Sequence, residues 1–104
     1  MGFNFSSHVI TKLQDDHDVT QKEVMECFAN GEAIYFLDPN EDHQTDPPTF
    51  WFMAPTNRNR MLKVCFIRRG DDVDIKTAFE PTSDKHLDTY RQQAGLPSCW
   101  PNEE

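Results

Sequence analysis

The chain has 104 residues, 12% of them aromatic, and sets 18 Asp and Glu against ten Lys and Arg for a formal net charge of −8. This length fits one compact domain with a small core, and the aromatic load excludes a disordered chain. The acidity argues against a protein whose whole surface grips nucleic acid, and no apolar run approaches the roughly 18 residues of a membrane span.

The elements follow in chain order. FSSHVITKLQDDH predicts a first helix, with Ser6 or Ser7 as its cap and Val9, Ile10 and Leu13 at helical spacing. Thr20 and Glu23 form a T-x-x-E capping box, and the helix it opens runs to the Asn30-Gly31 stop. Residues 33–37 and 49–55 read as strands separated by a polar, Pro-rich loop over 38–48. Asn57 to Asn59 is a turn, and residues 61–67 form the next strand. After a hairpin turn at Gly70, VDIKTAFE alternates, with Val73, Ile75, Thr77 and Phe79 facing one way. A last helix, capped by Thr82 or Ser83, runs to Ala94 and turns Leu87 and Tyr90 inward. The expected fold is α+β over residues 1–96. Two N-terminal helices and a C-terminal helix pack on one face of a four-stranded, mostly antiparallel sheet, whose other face stays partly open. Residues 97–104 are a short, loose tail in which Trp100 can dock on the body.

Cys27, Cys65 and Cys99 are odd in number and scattered, which is no disulfide framework. Free thiols fit a reducing cytoplasm, and the N-terminus lacks the pattern of a signal peptide. The His residues have no metal-ligand spacing, so no metal is expected, and no sequence motif calls for a cofactor.

Charge is distributed unevenly. Five of the ten Lys and Arg fall in TNRNRMLKVCFIRR, at Arg58, Arg60, Lys63, Arg68 and Arg69, a stretch without an acid. Arg58 and Arg60 flank the turn. Lys63 alternates away from Leu62, Val64 and Phe66, and Lys76 away from Val73 and Ile75, so both can share the open face with Trp51. Cations beside an aromatic suit a phosphodiester and an unstacked base. His17 can move a proton near neutral pH. Glu80, at a strand end, can orient a Lys or act as a base. Thr77, and Tyr90 with its hydroxyl at the rim of the core, complete the candidates. The same residues also fit a solvated sheet face balanced by acids.

Taken together, HDVTQKEVMECFANG, APTNRNRMLKVCF, VDIKTAFEP and the later Tyr90 resemble the BrnT-like toxins, small bacterial ribonucleases of the RelE-like group. The resemblance covers roughly residues 8 to 92. Its relatives often carry an inherited label as ADP-ribosyl-dinitrogen-reductase hydrolase, an activity that nothing in these residues supports. His17 matches the family His, and Arg60 the Arg of a Gly-Arg turn, with Asn59 in place of Gly. Lys63 and Thr77 also fit, while Phe79 stands where the toxins carry Arg or Tyr. The resemblance implies metal-independent cleavage of RNA by attack of its own 2′-hydroxyl. It also implies an antitoxin partner with a ribbon-helix-helix domain. The competing expectation is a non-catalytic protein-binding module on the same fold.

Overall fold

A computed structural model describes residues 2–37 and 48–100. It contains β1 (Phe3–Asn4), α1 (Ser7–His17), α2 (Gln21–Asn30), β2 (Phe36–Leu37), β3 (Thr49–Pro55), β4 (Met61–Arg69), β5 (Asp72–Phe79) and α3 (Lys85–Ala94). The fold is α+β, but the sheet has five strands rather than four, in the order β1-β5-β4-β3-β2. It is also mixed: β1 runs parallel to β5, and the other pairings are antiparallel. Two residues are too few to leave a period in the sequence. β1 is held instead by the Val73 N–H donating to the Gly2 carbonyl at 2.8 Å and by Asn4 Nδ2 donating to Asp74 Oδ1 at 2.9 Å. The expected loop lies, apart from Pro48, outside the described residues.

The starts of α1 and α2 follow their capping chemistry, whereas α3 begins after Asp84 with no side-chain cap, not at Thr82 or Ser83. Ser6 Oγ accepts from the Val9 N–H at 3.1 Å. In α2 the Thr20 hydroxyl accepts from the Glu23 N–H, and Glu23 accepts from the Thr20 N–H, both at 3.1 Å. Such a reciprocal cap contributes about 1 kcal/mol or more. At the far end of α2, Gly31 is needed for space, because its φ is an ordinary −81°. A Cβ there would come within 3.2 Å of the Ala54 Cβ.

α1 and α2 pack on one face of the sheet. Phe28 of α2 lies 4.7 Å from Phe52 and 5.3 Å from Phe66, ring to ring. Phe52, Leu62, Val64, Phe66 and Ala78 are buried there, and each large apolar side chain contributes about 1.5–3 kcal/mol. α3 packs on the opposite face, where Tyr90 meets Trp51 at 5.5 Å and Trp100 at 5.4 Å. The helices therefore cover both faces, which corrects the one-sided arrangement. Trp100 is docked: Nε1 donates to Glu32 at 3.1 Å, and its carbonyl accepts from Arg91 at 2.8 Å.

β5 does not alternate as its sequence suggests. Cys65 pairs with Thr77, but Phe66 pairs with Ile75, leaving Lys76 as the extra residue of a bulge. A bulge re-aims the side chains beyond it. Val73, Ile75 and Ala78 face α1 and α2, while Thr77 and Phe79 fall in line with Cys65, Lys63 and Trp51 on the α3 face.

Candidate functional site

The bulge and the β3–β4–β5 register collect the candidates in two places. On the α3 face lie Trp51, Lys63, Lys76, Thr77 and Tyr90. At the end of the sheet, beside the start of α2, lie His17, Arg58, Arg60 and Glu80.

The α3 face holds a groove of about 350 Å³ between α3 and the sheet, lined by Leu37, Trp51, Lys63, Lys85, His86, Thr89 and Gln93. Its floor is Trp51, buried, with the Lys63 ammonium 4.8 Å from the ring centroid. This cation–π contact, worth about 0.5–2 kcal/mol, fixes a positive charge on the groove floor. Trp51 is thereby covered, and it supports Lys63 rather than presenting a bare ring to a base. Tyr90 is fully buried, and its hydroxyl donates to the Ile34 carbonyl at 2.6 Å. Burial drives its pKa well above the ordinary value of 10.0, so it stays a protonated core residue. Lys76 spans from β5 across β4 to Thr49 on β3, 3.4 Å from its hydroxyl, so that its stem covers apolar sheet surface. The Thr77 hydroxyl is buried below without a hydrogen-bond partner among the described residues.

The sheet end is organised by Arg60. Its Nε donates to Glu80 at 2.7 Å, and its Nη1 to Glu23 Oε2 at 3.1 Å and to the Asp18 carbonyl at 2.8 Å. Its Nη2 reaches the His17 carbonyl at 3.1 Å. One guanidinium thus closes the C-terminus of α1, joins the capping box of α2 and anchors the end of β5. Burial opposes its charge, but the Glu80 and Glu23 carboxylates outweigh this and raise its pKa. The β3–β4 turn is pinned alongside: the Thr56 hydroxyl accepts from the N–H groups of Arg58 and Arg60, and the Asn57 N–H donates to Glu26 at 2.9 Å. His17 rests its ring 5.6 Å from Phe79. Arg58 is exposed on the turn. The adjoining hollow is lined by four acids, Asp18, Glu23, Glu26 and Glu80, against Lys22, Arg58 and Arg60. That balance repels a phosphate.

The groove is the opposite in charge. Among its described lining residues there is no Asp or Glu, and Lys63, Lys85 and His86 all point chemistry suited to an anion. Lys85, His86, Thr89 and Gln93 were not singled out by the sequence. A signal was present in the helical period, because 3.6 residues per turn place Lys85, Thr89 and Gln93 on one line with His86 beside it. That line borders the buried stripe of Leu87, Tyr90 and Ala94.

Among the described residues no group of three or more His, Cys, Asp or Glu could hold a metal ion. No described helix is long and apolar enough to cross a membrane. A family model described as a domain of unknown function, DUF4258, matches residues 5–80, from the approach to α1 through the end of β5, and α3 lies beyond the match. No curated protein matches the chain.

Proposed function

The chain belongs to the DUF4258 family, and we propose that it is a toxin-like, metal-independent endoribonuclease acting in the cytoplasm, with the groove beneath α3 as its phosphate site. The observation that carries this reading is that the described lining of that groove holds Lys63, Lys85 and His86 and no acid, in a chain of net charge −8. Cations gathered in a hollow raise the local positive potential, which draws in an anionic ligand.

In this mechanism the RNA 2′-hydroxyl attacks the adjacent phosphorus, the 5′-oxygen leaves with a proton, and a 2′,3′-cyclic phosphate remains. Lys63 and Lys85 stabilise the charge that develops on the phosphoryl oxygens. His86 carries the proton, a role expected from the sequence for His17 or Glu80. Those two residues, with Arg60, hold the sheet end together. Lys76 adds charge to the same face. A ribbon-helix-helix antitoxin with basic surface is the proposed partner.

The test is growth under a tightly repressed promoter. Induction of the wild type arrests growth with loss of RNA, and Lys63→Ala, which breaks no described hydrogen bond, relieves the arrest. Normal growth with intact RNA on induction of soluble wild type contradicts the proposal.

One observation favours a second reading. Arg60, the residue matched to the toxins' turn Arg, is engaged by protein acceptors, and Phe79 is apolar where those toxins carry a polar side chain. A non-catalytic binding module is selected if the protein captures one stoichiometric basic partner while RNA stays intact.

A further inference from the structure

We infer that the groove takes one unstacked nucleotide of single-stranded RNA and that Gln93 is the residue that reads its base. This deepens the ribonuclease reading and rests on it.

The chemistry along α3 is graded. Lys85 and His86 stand at its N-terminal end, Thr89 one turn on, and Gln93 one turn further, all in the groove lining. At 1.5 Å per residue, Lys85 and Gln93 are about 12 Å apart along the axis. A nucleotide is graded in the same sequence: an anionic phosphate, a ribose hydroxyl, then a base edge with donors and acceptors. The helix dipole also places its positive end beside Lys85 and His86, where the phosphate belongs.

Three further observations agree. No side-chain hydrogen bond or ion pair among the described residues engages Lys85, His86, Thr89 or Gln93, so no described residue spends their donors and acceptors. The groove, at about 350 Å³, is at the small end of ligand sites, with room for one nucleotide and none for a duplex. Leu37, 62% exposed on the groove wall, offers an apolar surface for a base, which the Lys63-covered Trp51 does not.

Gln93 presents an amide donor and acceptor side by side. Adenine offers the matching pair on both its Watson–Crick and Hoogsteen edges, and both are open in a single strand. The other three bases present such a pair on the Watson–Crick edge alone, so adenine, with two matching edges, is the preferred base.

The experiment measures binding of 2′-fluoro hexamers of A, C, G or U, which lack the attacking hydroxyl and are bound without being cut, and of a 2′-fluoro duplex. Wild type is compared with Gln93→Ala and Lys85→Ala. Both positions are exposed on a helix, where Ala preserves folding. Wild type should prefer the A hexamer by roughly tenfold, and Gln93→Ala should bring the four sequences together. Lys85→Ala should weaken all four alike and lower the slope of log affinity against log salt by about one. A base preference that survives in Gln93→Ala, equal affinity of wild type for all four, or duplex binding as tight as single-strand binding overturns the inference alone. A wild type that binds no RNA overturns the ribonuclease reading with it.

Discussion

Arg60 Nε donates to Glu80 Oε1 at 2.7 Å, and through this contact the turn before β4 is tied to the end of β5. The rest of the guanidinium reaches Glu23 and the last carbonyls of α1, so one side chain ties four chain segments together.

Arg60→Ala should therefore act on stability. Two helix-end carbonyls lose a donor, and Glu23, 21% exposed, loses its cation. The expected cost is about 2–3 kcal/mol in urea unfolding. Arg60→Lys should recover less than half of it, because an ammonium cannot reproduce the fork. A change below about 0.5 kcal/mol in Arg60→Ala would show that the clasp is not structural.

The clasp should also make folding acid-sensitive. Burial alone would raise the Glu23 pKa, but the Thr20 N–H and the Arg60 guanidinium together hold it below its ordinary 4.5. A carboxyl depressed in the folded state stabilises the fold above its unfolded pKa, and that contribution fades as pH falls through the lower folded value. The stability gap between wild type and Glu23→Gln should be full at pH 6 and shrink steadily below about pH 4.5. A gap independent of pH would count against the assignment.

Thr77→Val is expected to raise stability by about 1 kcal/mol, since it removes a buried hydroxyl without a described partner and keeps the side-chain shape. Thermal unfolding decides it. A fall in the midpoint would show that Oγ1 is bonded in the folded protein.

The three thiols should separate by reactivity. Cys27 is fully buried and donates to the Ala54 carbonyl at 3.4 Å. Its burial, with the Glu23 and Glu26 carboxylates nearby, pushes its pKa up to about 12. Cys65 is buried and Cys99 exposed. A thiol reagent at pH 8 should titrate one group in the native protein, Cys99, and all three after unfolding. Rapid modification of Cys27 in the native protein would contradict this placement.

What the sequence could disclose was local. The Thr20–Glu23 box, the Asn57–Asn59 turn and the period of MLKVCFI each act over a few residues, and each predicted its element. What it concealed was set at long range. The Lys76 bulge depends on the register of β4 against β5, and a single extra residue reverses the faces on either side of it. The two-residue β1 exists only because β5 offers an edge. Arg60 sits in a basic run that suits a phosphate ligand, but its acceptors lie 20 to 43 residues away. The groove lining on α3 was readable from helical spacing. Charge clustering does not mark it, because Lys85 and His86 stand outside the basic segment.

The most direct measurement is the fate of end-labelled single-stranded RNA incubated with purified protein in excess EDTA. The expected products are fragments ending in 2′,3′-cyclic phosphate, formed at least about tenfold more slowly by folded Lys63→Ala, the loss expected when one charge on the phosphate site is removed. RNA left intact by the wild type, or cut equally fast by Lys63→Ala, would contradict the ribonuclease reading.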